Sequence, residues 1–166
     1  MKKFITISVP IVVVITMLYY GYKSYQISEA KKVFKRFKIH LPKSSVFEWI
    51  NEKPKVDTLS TIILYFHPEC DHCEYEAKII IKKQKEFANV NVWWVSFADT
   101  SSIRKFGKMY GVDSLQNSYL AHISAQKVTQ TFGSISVPHI FIYDKHQVLQ
   151  KEYKGETKIE AILKYL

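Results

Sequence analysis

Apolar residues arrive along this chain in short runs closed by turn-forming residues. Thr61-Ile-Ile-Leu-Tyr-Phe66 is rich in β-branched and aromatic side chains and is closed by His67-Pro68, which predicts a strand over Thr61–His67. A helix-like stretch follows, predicted over Cys70–Ala88. The same reading gives a short strand near Ser45–Trp49, a strand Asn91–Phe97, helices near Ser101–Tyr110 and Ser124–Phe132, strands His139–Asp144 and Val148–Tyr153, and a final helix Thr157–Leu166. Asp144-Lys-His-Gln147 is the expected hairpin turn between the last two strands. Trp93-Trp94 falls in a strand, so one ring is expected on each face of the sheet as packing. Between Gly111 and Ser124 the pattern has no strong periodicity, which leaves a surface loop or a wall of a substrate groove. Strands alternating with helices, then a terminal hairpin, predict an α/β fold with a mixed sheet flanked by helices in three layers. Residues 44–166 hold about the length of one ordinary core, with no internal repeat.

The N-terminal pattern differs. Phe4 to Tyr20 is uncharged and apolar, flanked by Lys2-Lys3 and ended by Gly21-Tyr22-Lys23. It reads as a membrane-inserting segment at the short limit for a hydrocarbon core about 30 Å thick. No small-x-small site follows closely, Ser28-Glu29-Ala30 lying well past the apolar end, so an uncleaved N-terminal transmembrane anchor over 1–23 is expected, with its tyrosines at the interface. From Ile27 to Leu41 apolar residues at 27, 30, 33, 34, 37 and 41 keep helical spacing opposite a basic face, a stalk over 24–43 that either stands in solvent, packs on the domain or rests on anionic headgroups.

Charge sharpens this division. Residues 1–43 carry nine Lys and Arg against one acid, Glu29, whereas residues 44–166 carry fifteen against fourteen, so nearly all of the net +9 belongs to the anchor and stalk. A near-neutral domain argues against nucleic acid as a partner. Counted alone, the basic residues after the apolar segment would keep the domain on the cytoplasmic side.

The chemistry concentrates in Cys70-Asp71-His72-Cys73, which holds the chain's two cysteines. Two thiols at this spacing can exchange one disulfide, and Cys70 is expected to cap the following helix. There the unpaired backbone N–H groups and the positive end of the helix dipole favour a nucleophilic thiolate, while Cys73, one turn in, is more shielded. The same pair, with His67, His72 or His139, could instead hold copper or zinc, but no second C-x-x-C and no spaced His pair accompanies it.

With Phe132-Gly-Ser-Ile-Ser-Val-Pro138 ahead of the run His139–Tyr143, the C-x-x-C motif resembles the thioredoxin superfamily, and C-x-x-C-x-x-E, with Glu76 at the carboxylate, is similar to its membrane-tethered TlpA-like thiol–disulfide oxidoreductases. The resemblance runs from about Ser45 to Leu166 and takes in the Lys154-Gly155-Glu156 turn before the last helix. It implies a thioredoxin-like fold, a cis Val137–Pro138 bond beside the disulfide, Cys70 as attacking and Cys73 as resolving thiol, Glu76 as proton acceptor and donor for Cys73, and Val137 and Pro138 as the substrate-pairing site. It also implies a domain on the extracytoplasmic, periplasmic side, against the charge count. Partners would be protein thiols or disulfides and an upstream redox protein, with no cofactor and no metal.

The chain departs from that pattern at Glu69, where an aromatic residue often stands, at Leu64, where thioredoxin proper has a buried aspartate, and in the Asp71-His72 spacer. A cationic His72 favours the reduced form, while Glu69, Asp71, Glu74 and Glu76 oppose a second anion, so inspection leaves the redox direction open. Asp71 and Glu74 equally serve the helix N-terminus. His139, where many members place Thr, could tune Cys70, bind metal or simply be hydrogen-bonded. The motifs and their order favour an oxidoreductase working as a reductase. The alternatives are a metal carrier, a thiol peroxidase, whose usual Thr is replaced by His67, and a non-catalytic tethered binding module.

Overall fold

The computed structural model describes residues 12–29, 40–54, 59–133 and 135–166. The chain divides into two compact units, Met1–Phe37 and Lys38–Leu166. The described part of the first is one helix, α1 (12–29). Residues 4–11 of the expected apolar span lie outside the described residues, and so does most of the basic amphipathic stretch. From 12 the chain is helical and continues through Gly21, the expected stop, to 29. A lone glycine costs a helix only about 1 kcal/mol relative to alanine, and beyond it Gln26 Nε2 donates to the Tyr22 hydroxyl one turn back. Among the described residues no helix is long and apolar enough to cross a membrane.

The second unit is built on a six-stranded sheet of β1 (Glu48–Trp49), β2 (Ser60–Tyr65), β3 (Val90–Ser96), β4 (Ser118–His122), β5 (His139–Tyr143) and β6 (Leu149–Lys154), in the order β1-β4-β3-β2-β5-β6. β2, β3 and β4 run parallel, and β1, β5 and β6 pair antiparallel with their neighbours. The helices are α2 (Asp71–Lys82), α3 (Thr100–Tyr110), α4 (Ala125–Phe132) and α5 (Ile159–Leu163).

Both faces of the sheet are covered. On one, Leu64, Trp94, Leu120 and Ile140 pack with Cys73, Ala77 and Ile80 of α2, Ile103 and Phe106 of α3, and Ile159 and Ile162 of α5. On the other, Ile63, Trp93, Tyr119 and Phe141 pack with Phe47 and with Val128 and Phe132 of α4. The tryptophans therefore divide between the faces, as their adjacent strand positions require. Trp94 Nε1 donates to the Ser118 hydroxyl at 3.1 Å, and the Trp93 ring meets Trp49 edge to face at 5.1 Å.

β4 is the element that the sequence pattern hides. It lies in the stretch without periodicity because four of its five residues are buried, so no polar face alternates with an apolar one. Two helices are shorter than predicted. α2 ends at Lys82, where Lys83 leaves helical geometry and a 3₁₀ turn, Gln84–Phe87, drops Phe87 into the core. α5 starts at Ile159 rather than Thr157, whose amide serves another partner described below.

The hairpin turn forms where expected: Asp144 Oδ1 accepts the amides of His146 and Val148 at 2.9 and 3.0 Å. His40 bridges Val148, and the Leu41 amide donates to the Gln147 carbonyl at 2.9 Å. The chain thus joins this unit at the pole where β2 begins, opposite the pole where β2 runs into His67-Pro68 and the cysteines.

Candidate active site

β2 delivers Cys70 to the N-cap of α2. Its backbone is extended there (φ −100°, ψ 113°), its carbonyl accepts the amides of Cys73 and Glu74 at 2.9 and 3.0 Å, and its own amide donates to the His67 carbonyl at 3.1 Å. Both thiols are free, Cys70 half-buried and Cys73 with no exposed surface. Burial pushes the Cys73 thiol well up, the hydrogen bond to Cys70 adds to this, and the charges of Cys70 and Glu76 act the same way; the His67 backbone amide pulls in the opposite direction. Cys73 therefore keeps its proton until a base removes it.

Such a base lies one turn along α2. Glu76 has no exposed surface, its Oε1 accepts the Thr157 amide at 2.5 Å, and its Oε2 has no hydrogen-bond partner. Burial raises its carboxyl from 4.5 to about 7, the Thr157 amide offsets part of that, and the nearby Glu156 carboxylate adds to it. A carboxyl at that value is able to take or give a proton near neutral pH.

The other predicted residues separate. Val137–Pro138 is cis. Val137 and Cys70 pack on the same apolar cluster as Cys73, and the Pro138 carbonyl accepts the Gly155 amide at 2.8 Å. His72 leaves the thiols and pairs with Glu156, Nδ1 to Oε2 at 2.7 Å. His67 Nδ1 accepts the Glu69 amide at 3.3 Å, and its ring lies 5.4 Å from Phe97.

Of its three expected roles, His139 takes the hydrogen-bonded one. Its side chain shares a face with Phe141, on which it stacks at 4.5 Å, and its Nε2 lies 2.6 Å from Glu152 Oε1. Strand alternation sends it to the sheet face opposite Ile140 and the cysteine cluster, so it is hydrogen-bonded rather than aimed at Cys70. For the metal alternative, no three His, Cys, Asp or Glu side chains converge among the described residues.

The partners of Glu76 and His72 were the part not found from sequence. Glu156 and the Thr157 amide come from about eighty residues away along the chain, and the available signal was Gly155, which turns the chain with φ 82°. Phe97, 44% exposed at the end of β3 beside His67, supplies an aromatic side chain at this pole although Glu69 stands before the first cysteine.

The AhpC/TSA family profile matches residues 40–152, which span the sheet from the His40 bridge into β6 and include both cysteines, Glu76 and the cis-proline. The chain belongs to the AhpC/TSA family. Solved structures agree on the fold of this AhpC/TSA member. A putative thioredoxin from Neisseria meningitidis is 25% identical over 66% of this chain and 73% of its own, with a TM-score of 0.55. A secreted Mycobacterium tuberculosis disulfide oxidoreductase is 11% identical over 79% and 96%, with a TM-score of 0.59. A peroxiredoxin-like protein from Aquifex aeolicus is 14% identical over 76% and 83%, with a TM-score of 0.58. No curated protein sequence matches the chain. Family, thioredoxin-like fold and paired cysteines are together those of a redox enzyme of the thiol–disulfide oxidoreductase kind.

Proposed function

We propose that the protein reduces disulfides in protein substrates. The observation that carries this reading is the buried pair of Cys73 and Glu76, a thiol that holds its proton beside a carboxyl poised near neutrality. Cys70 thiolate attacks a substrate disulfide, forming a mixed disulfide and releasing one substrate sulfur as thiolate. Glu76 takes the Cys73 proton, and the Cys73 sulfur attacks Cys70 Sγ. The second substrate thiol leaves and the Cys70–Cys73 disulfide remains. An upstream dithiol partner returns the pair to the reduced state by the reverse sequence. The substrate strand pairs with the Val137 backbone beside Pro138, the role implied by the resemblance.

The reductive direction draws on His72. A cation beside Cys70 would favour the reduced form and make an oxidant, but this imidazole is engaged by Glu156. Cys73→Ser is the direct test: under conditions where wild type turns over, it is expected to accumulate mixed disulfides through Cys70. Absence of any trapped partner contradicts the assignment.

We place the catalytic unit on the extracytoplasmic side, held by an uncleaved anchor over 1–23 and a stalk over 24–43, with the domain over 44–166. In support, the apolar span carries no charge from Phe4 to Tyr20. Proteolysis of the domain in intact cells agrees with this placement, and digestion in opened cells only contradicts it.

The AhpC/TSA match and the peroxiredoxin-like neighbour favour one second reading, peroxide reduction. Cys70 thiolate would attack the peroxide oxygen, leave as sulfenate with release of the alcohol or water, and condense with Cys73 to a disulfide and water. Thiol-dependent peroxide consumption comparable with disulfide turnover would replace the first reading by this one.

A further inference from the structure

One short turn between β6 and α5 touches three parts of the candidate site. The Gly155 amide donates to the Pro138 carbonyl at 2.8 Å, Glu156 Oε2 lies 2.7 Å from His72 Nδ1, and the Thr157 amide donates to Glu76 Oε1 at 2.5 Å. His72 is the spacer residue before Cys73, and Glu76 is one turn beyond it. The proline loop, the cysteine spacer and the proton acceptor are thus tied to three consecutive residues, although the proline lies far along the chain from the other two.

Resting on the exchange reaction proposed above, we propose that Glu156 and His72 are positioning residues for its resolving step: the turn holds Glu76, and the charge balance of the Glu156–His72 pair sets how readily Glu76 accepts the Cys73 proton. A carboxylate at 156 discourages ionisation of Glu76 by like-charge repulsion, which is the direction of its effect there. A protonated His72 cancels part of that charge. The charge of Cys70 acts on the same cluster through Cys73, and the first turn of α2 adds the carboxyls of Asp71 and Glu74, the latter paired with Lys78 at 3.6 Å. From β2 and the residue after it, β5 and α5, the same cluster receives the apolar side chains of Leu64, Phe66, Ile140 and Ile159. The paired side chains are 68% and 41% exposed, so their substitution leaves the core intact, and added salt weakens the effect.

The test uses the reduced, detergent-solubilised full chain and dithionitrobenzoate, an aromatic disulfide whose released thiolate is coloured. Cys70 attack releases the first thiolate, and Cys73 attack on the resulting mixed disulfide releases the second. The rate of the second release is followed against pH. Glu156→Gln is expected to move its midpoint to lower pH by about half a unit, a threefold rate difference on the rising limb, and His72→Gln to move it to higher pH. The shift of the second release is read relative to the first, which reports Cys70 attack, and Glu156→Asp is expected to restore the wild-type midpoint. An unmoved midpoint in both Gln variants, or equal shifts in one direction, overturns the proposal. If wild type itself releases only one thiolate, the exchange reading fails and this proposal falls with it.

Discussion

At the scale of single residues, the site turns on a carboxyl that the fold keeps out of water. Glu76 has a raised folded-state value of about 7 against 4.5, so its contribution to stability is fully present below about pH 4.5 and is lost as pH rises through 7. Above that, the fold carries a buried carboxylate at a cost of up to about 3 kcal/mol. Glu76→Gln keeps an acceptor for the Thr157 amide and removes the charge. In urea denaturation it is expected to raise unfolding free energy at pH 8 by about 1–3 kcal/mol and to change it little at pH 4. The same variant is expected to slow the resolving step at least about a hundredfold at neutral pH, measured as the second thiolate release. A variant that is neither more stable at pH 8 nor slower removes Glu76 from the mechanism.

At the scale of elements, ends and caps decide what the sequence makes visible. α3 closes on Gly111 with φ 70°, a left-handed position whose amide bonds the Gly107 carbonyl. No atom lies within 4 Å of a Cβ built there, so Gly111→Ala meets conformational strain alone and is expected to cost about 1 kcal/mol, read as a lowered Tm. Local signals of this kind made most elements legible: the Pro68 breaker before α2, Ser124 capping α4, the Asp144 turn. β4 stayed hidden because a strand covered on both faces loses its period of two. The site was legible along the chain, where Cys70, Cys73 and Glu76 share one helix, and hidden across it. The bonds of Glu76 and His72 to Thr157 and Glu156 form only when β6 returns beside β5, which no local pattern encodes. His139 shows the same limit, since its face follows from register and not from the proline before it.

At the scale of the whole molecule, the catalytic pole and the pole where the chain joins the domain are opposite ends of the sheet. His40 and Leu41 pair with the hairpin tip, and Leu41 packs on the cluster around Phe47 and Trp93. A fragment beginning at Lys38 is therefore expected to be more stable than one beginning at Ser44, by about 1–2 kcal/mol for the leucine burial lost. Equal denaturation midpoints would show that this join adds nothing. Everything proposed for the site depends on Cys70 and Cys73 forming one reversible couple, whose reduction potential is measured in the full chain. A single two-electron disulfide equilibrium near or below about −270 mV is expected, with Glu76→Gln slowing the approach to it. A potential near about −120 mV would make the protein a disulfide donor instead of a reductase, and the absence of any reversible Cys70–Cys73 disulfide would rule out thiol–disulfide exchange by this pair.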